Sequence, residues 1–498
     1  MRALLIYPRY PETFWSFRHA LPFVGKKAAY PPLGLLTVAS LLPKSWEKKL
    51  VDLNVRDLTP DDVSWADVVL ISAMDVQESS ARSLISSLKE RGVKIVAGGP
   101  LFSSRWEEFP QVDHLVIGEG EGLVQRMARD LEEGRAEKIY RQERPVSLEE
   151  SPVPDWSLVN LNDYSSLGVQ FSRGCPYDCE FCDVTALFGR HVRTKRASQI
   201  LAELDLIYDM GWRGGVFFVD DNLIGNRRAV KEELLPSLIS WMEEKNYPFE
   251  FITQVSINVA DDDELLSLLH RANFDELFIG IESPEEESLR SAGKTVNLNR
   301  DITRAVRKLQ RRGFLVHGGF IVGFDTDTPS VFDRLIDFID SAGIPVAMVG
   351  LLNAPRGTKL YARLKKEGRL LTEISGDNTD FSLNFLPVMD LETLISGYQR
   401  VVKTLYSPER FVRRTISCLK NLSPRFRKKT RLAWRDVRAF LLTTVSMGLS
   451  ERWRRHYWKL LTWAAMKRPI FFPLSVKLLI YGYHLEKVFS SREAPVRT

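Results

Sequence analysis

Cysteine is scarce in this chain: four in 498 residues, three of them within eight positions. Such a small, clustered set excludes the disulfide framework of a secreted domain and reads as metal ligands. Long hydrophobic runs are also missing. No apolar stretch approaches the roughly 20 residues that span a bilayer. The N-terminus, MRALLIYPRY, has a short apolar run with few basic neighbours and suits a first strand better than a signal peptide. No short internal repeat is seen. A reducing cytoplasm is the expected location.

What is present is a large chain, 44% hydrophobic, enough for two or three domains with cores of their own. Net charge is only +5, but it is unevenly spread. From Val401 onward there are 22 Lys and Arg against 5 Asp and Glu, leaving 47 against 59 before it. An acidic body with a basic tail points to an anionic partner or surface.

Along residues 1–140, short apolar strands alternate with helical patterns: Ala3–Tyr7, a helix at Leu33–Leu42, DVVLIS at Asp67–Ser72, a helix at Ala81–Arg91, Lys94–Ala97 and His114–Ile117. This predicts a doubly wound, Rossmann-like α/β domain with a parallel sheet. Residues 141–164, rich in Pro, Ser and acids, read as a linker. Over 165–364 the alternation resumes, with strands at Gly168–Ser172, Gly215–Val219, Glu250–Gln254, Glu276–Ile281, Val316–Val322 and Ala347–Leu352. Six βα repeats predict a full or partial parallel barrel with its site at the C-terminal strand ends. Residues 365–498 read as a mostly helical, basic, aromatic-rich region.

The chemistry is concentrated in FSRGCPYDCEFCDV, which places Cys175, Cys179 and Cys182 at a strand's C-terminal end. Three thiolates can hold three irons of a [4Fe–4S] cluster and leave the fourth open, whereas such clusters commonly have four cysteines. Zinc is the competing reading. It would need a fourth ligand, for which Cys418 and His191 are the candidates, and Cys418 lies far off in the basic region.

The three-cysteine spacing, with Phe181 before the last cysteine, resembles the radical S-adenosylmethionine (SAM) superfamily signature. That resemblance implies SAM bound at the open iron and cleaved by one electron to a 5′-deoxyadenosyl radical, with Phe181 near the adenine. It implies a reductant such as flavodoxin or ferredoxin. It also gives roles to strand-end residues. Asp220, Asp221 and Asn222 would meet the methionine amino group, Ser256 the ribose or carboxylate with Asn258 beside it at the same strand end, and Glu282 the ribose.

In the first domain, YPPLGLLTVAS, VAGGP and VIGEGEG fall at loops or strand ends, where doubly wound sheets bind ligands. With the core downstream they resemble the cobalamin-binding subfamily of radical SAM enzymes. Gly98, Gly99, Gly118, Glu119 and Gly120 are then the expected cobalamin contacts. The Asp-x-His-x-x-Gly motif that supplies an axial histidine is absent, so the resemblance leaves the lower cobalt face bare or met by Ser72–Gln77. The implied reaction is methyl transfer from cobalamin to an unactivated carbon. Other members act as methylthiotransferases, modify RNA or close rings.

Three readings fit the tail: a helical cap, a membrane-surface element and an RNA-binding arm. Cap plus membrane surface is preferred, on the apolar density of Ile470–Tyr483. A nucleic-acid partner is not expected. The layout is similar to radical SAM proteins that include the hopanoid methylases, which implies a lipid or other hydrophobic substrate.

Overall fold

A computed structural model describes residues 1–377, 379–424 and 434–490, without the Arg435 side chain. The first sheet is wholly parallel, in the order β2-β1-β3-β4-β5-β6. Its strands are β1 (Arg2–Tyr7), β2 (Glu47–Asp52), β3 (Val68–Ser72), β4 (Ile95–Gly98), β5 (His114–Ile117) and β6 (Ile139–Arg141). The inner strands are continuous apolar runs because both faces are covered. Leu35 and Met127 belong to the core on one face, and Leu84 and Phe102 to the core on the other. The edge strands β2 (EKKLVD) and β6 (IYR) escape sequence prediction because an edge tolerates charge and needs little length.

Residues 142–164 are a packed strap. Trp156, Leu148 and Tyr164 are buried. The Asp155 amide donates to Leu36 O (3.0 Å), Ser40 Oγ to Val153 O (2.7 Å) and the Tyr164 hydroxyl to Asp52 (3.1 Å).

The second sheet is also parallel, ordered β14-β13-β12-β11-β10-β7, and β7 does not pair with β14, so the barrel stays open. Its strands are β7 (Leu167–Val169), β10 (Gly215–Phe218), β11 (Glu250–Val255), β12 (Phe274–Glu282), β13 (Leu315–Val322) and β14 (Ala347–Leu351). The expected strand Gly168–Ser172 is interrupted. Buried Asp220 accepts from the Phe171 amide (3.2 Å) and from the Ser172 amide and hydroxyl, which turns the chain out of the sheet. The next residues, β8 (Ser172–Arg173), pair antiparallel with β9 (Arg193–Thr194), and this ribbon brackets the cysteine loop.

The C-terminal helices share one core with the barrel. Tyr398 and Tyr406 donate to Val349 O and Ala347 O on β14 (3.0 and 2.6 Å). The apolar run beginning at Ile470 was expected to serve a membrane surface. Most of it packs inward instead: Val476, Leu478, Leu479 and Ile480 are buried in the Phe472–Ser490 helix, which packs on the neighbouring C-terminal helices and reaches Glu276 of the barrel through Lys477. Basic residues 425–433 lie outside the described residues. Among those described, no helix is long and apolar enough to cross a membrane.

Candidate active site

The cysteine loop is shaped by backbone contacts. Gly174 has φ +96°, and a Cβ there would stand 2.9 Å from Gly189 O, so only glycine lets the loop close. The Gly174 amide donates to Asp221 (3.1 Å), the Glu180 amide to Ala292 O (2.9 Å) and the Leu360 amide to Glu180 O (2.9 Å). All three cysteines are free thiols, with Cys179 buried and Cys175 and Cys182 half-buried. Burial pushes each thiol up, Cys182 to about 12, while the Lys294 ammonium pulls all three down.

Lys294 had no signal in the sequence. Its ammonium, in a buried site, donates to Glu282 Oε1 (2.7 Å). Burial alone would lower its pKa, but Glu282 and Cys179 outweigh that and raise it. Glu282 ends β12 at φ +65°, steadied by Asn297, whose Nδ2 donates to Gly280 O and Ile281 O (3.1 and 2.9 Å). We expect Lys294→Met to lose about 3–5 kcal/mol in urea unfolding, because a buried carboxylate is left unpaired. The double variant Lys294→Met/Glu282→Gln should recover most of that loss.

Three of the other expected SAM residues form one relay. Asn222 accepts from the Ser256 amide (3.1 Å) and donates to Ser256 Oγ (3.3 Å). Ser256 Oγ donates to Asn258 (2.7 Å), which donates to the Tyr177 hydroxyl (2.9 Å). Two strand ends are thereby tied to the cysteine loop. Asp220 is wholly buried beneath the loop with its oxygens taken by Phe171 and Ser172, whereas Asp221 faces the loop. The Phe181 ring packs edge-on to Phe324 (6.1 Å) at the end of β13.

In the first domain, Gly99 (φ +91°) lies so close to Ser72 Oγ and Ala73 O that a Cβ has no room. Gly118 (φ +103°) stands against Gln142, and Gly98 and Gly120 against Val116 and Val124. Glu119 is turned to the barrel: Arg173 (2.8 Å) and Arg193 (2.7 Å) both reach it, and Arg173 also holds Glu121 (2.9 Å). Burial pushes both carboxyls up, but the guanidiniums outweigh it and hold both below the usual range. Sequence reasoning missed Arg173, Arg193 and Glu121.

The donor set fits an iron–sulfur cube. A single ion needs its ligands at about 2.0–2.3 Å from one point, and among the described residues no three His, Cys, Asp or Glu are so arranged. A cube spreads its thiolates over separate irons. Neither candidate fourth ligand joins the loop set, since Cys418 is buried beside Gly343 and His191 is exposed. At the strand ends of the first sheet Met74 is exposed, while Gly98 and Gly99 let Val116, Ser72 and Ala73 pack closely, so the open surface there that suits a bulky flat ligand is the one Met74 presents.

A three-cysteine loop on a parallel barrel, ion-paired to a second parallel sheet, defines a radical enzyme with two cofactor floors. Family models match the B12 binding domain at residues 27–128, the Radical SAM superfamily at 169–339 and a domain of unknown function at 358–495. The chain is 40% identical over 466 residues to an uncharacterized methyltransferase of Synechocystis sp., covering 92% of this chain and 86% of that one. It is 34% identical over 418 residues to the hopanoid C-2 methylase of Rhodopseudomonas palustris, covering 83% and 78%. Its fold is similar to the cobalamin- and [4Fe–4S]-bound methyltransferase TsrM of Kitasatospora setae (TM-score 0.66, 14% identity, 97% and 99% covered). The chain belongs to the cobalamin-binding radical SAM methyltransferases. Its cofactors are therefore a [4Fe–4S] cluster, SAM and cobalamin.

Proposed function

We propose that the enzyme methylates an unactivated carbon of a hydrophobic, lipid- or hopanoid-like substrate at a membrane surface. When bound, the cluster with SAM supplies a hydrogen-abstracting radical and cobalamin a methyl group. The protein's residues do the placing. The Asn222–Ser256–Asn258 relay and Lys294–Glu282 would orient SAM beside Cys175, Cys179 and Cys182, with Phe181 at the adenine. Gly98, Gly99, Gly118 and Gly120 would shape the strand-end loops that, with Met74, face the corrin.

The observation that carries the substrate class is a cavity of about 1280 Å³ at the barrel floor, walled by Leu21, Val24, Phe440, Phe472, Val476 and Ile480. The test is anaerobic incubation of the loaded enzyme with CD3-labelled SAM, reductant and a membrane lipid extract. A lipid carrying CD3 is expected. Formation of 5′-deoxyadenosine with no labelled lipid overturns the reading.

The membrane contact rests on a second observation. Leu441 and Val445, exposed at 53% and 64%, share one helical face, Leu449 (69%) follows at the helix end, and exposed Arg454, Arg455 and Lys459 are near in sequence. The opposite face of the same segment lines the cavity through Asp436 and Ala439. Replacing the three exposed residues with Glu should weaken flotation with anionic liposomes by roughly tenfold each. Unchanged flotation would sink this part of the reading.

A further inference from the structure

The concave face of the barrel carries part-exposed residues along its height, with Trp15 and Tyr30 set against Phe278 and Phe217. Residues alternate between buried and part-exposed on β10 and β11 and over most of β12, and on β13 His317 and Ile321 are part-exposed. The part-exposed set includes Phe217, Ile252, Gln254, Phe278, Gly280 and Ile321. Register places Phe217, Ile252 and Glu276 in one row and Gln254, Phe278 and His317 in the next. A barrel packed for stability alone fills these rows with branched side chains.

At the floor of this face, an apolar chamber contains a cluster of charge. Glu276, with 3% of its side chain exposed, accepts from Lys477 and lies 2.9 Å from His317 Nε2. Lys477 reaches in from the Phe472–Ser490 helix and keeps 37% of its side-chain surface open. Tyr30 and Tyr481 stand in the same wall. Withdrawing such a pair from water costs several kcal/mol per ion, and an apolar pairing of equal volume would pin helix to sheet as well or better. A chamber meant only for hydrocarbon has no use for it.

The wall is nearly balanced in charge, with four Lys and Arg against five Asp and Glu. That balance disfavours a phosphate end and suits a neutral one that both donates and accepts. Glu276 and Glu282 point to the same face of β12, six residues apart, which is about 20 Å of strand.

We propose that Glu276, Lys477 and His317 form a binding site for the polar end of the substrate. The ligand class is an elongated apolar molecule with a neutral, hydroxyl-bearing terminus, its reacting carbon about 20 Å away at the cysteine end. The inference rests on the lipid reading of the substrate and deepens it.

Its test uses the cluster- and cobalamin-loaded enzyme without SAM, titrated in detergent with a pentacyclic triterpene alcohol and with its parent hydrocarbon. Quenching of tryptophan fluorescence reports binding, since Trp212 lines the chamber. The alcohol should bind about tenfold or more tightly than the hydrocarbon, because a site built to hydrogen-bond rejects the analogue lacking the hydroxyl. Lys477→Met should erase that preference and leave hydrocarbon affinity unchanged. Ile252→Trp, placed on this face, should weaken both ligands. Equal binding of the pair by the wild-type enzyme overturns the proposal without reference to any variant, as does a preference that survives Lys477→Met. Preference without lipid labelling overturns the methylation reading and leaves the chamber standing. Lipid labelling without preference does the reverse.

Discussion

Replacing Cys175, Cys179 and Cys182 together with Ala should abolish [4Fe–4S] absorption and SAM cleavage while leaving the protein folded. The loop is not a metal-dependent fold of the zinc-finger kind, where ligand binding supplies the folding energy. Its shape is set by Gly174 against Gly189 O, by Asp221 on the Gly174 amide, and by Glu180 bonded to Ala292 and Leu360. None of these contacts uses a thiol. The three Sγ atoms are the part that burial has made costly to ionise and that Lys294 makes less so. Far-ultraviolet circular dichroism and urea unfolding of the triple variant should therefore match the wild type, and anaerobic reconstitution should yield no cluster band. Retained SAM cleavage would sink the radical SAM reading.

Arg173→Met should destabilise the protein by about 3–5 kcal/mol, since it leaves buried Glu121 without its cation. Arg193 stays on Glu119, so Glu121 carries most of the loss. The effect has a pH signature. In the wild type both carboxyls are held below the usual range, so this part of the stability is present above about pH 4.5 and is lost as pH falls through the depressed values. In Arg173→Met, burial acts on Glu121 without that opposition, and its carboxyl should rise. The gap between variant and wild type should then narrow as pH falls from 8 toward 5. A gap that stays constant over that range would show the arginine to be packing rather than charge.

Much of the architecture was legible because it rests on local patterns. The inner strands of both sheets read as apolar runs, and the cysteine spacing is local to eight residues. The edge strand EKKLVD was lost because its charges are what an edge requires. The interruption of Gly168–Ser172 was lost because Asp220 imposes it from nearly fifty residues away. Distance in sequence also hid the partners of quoted residues. Arg173 stands inside the FSRGC motif, yet its carboxylates are 52 and 54 residues upstream. Lys294 follows a turn glycine with nothing local to mark it. In the tail, composition gave the helices and the apolar surplus. It could not say that Ile480 faces the barrel while Leu441 faces outward, because the amphipathic period is blurred where a helix is apolar on two sides.

The ion pairs from Glu119 and Glu121 to Arg173 bear on regiochemistry. Two floors fastened by buried charge resist parting like a hinge, so on the proposed reading a bulky guest would come in from the cavity side. It would then thread lengthwise from below, leading with its apolar end and trailing its polar one. On that reading the carbon presented to the radical would be at the terminus farthest from the polar group. The selectivity of methylation would be a matter of which end goes first, fixed before any bond is broken.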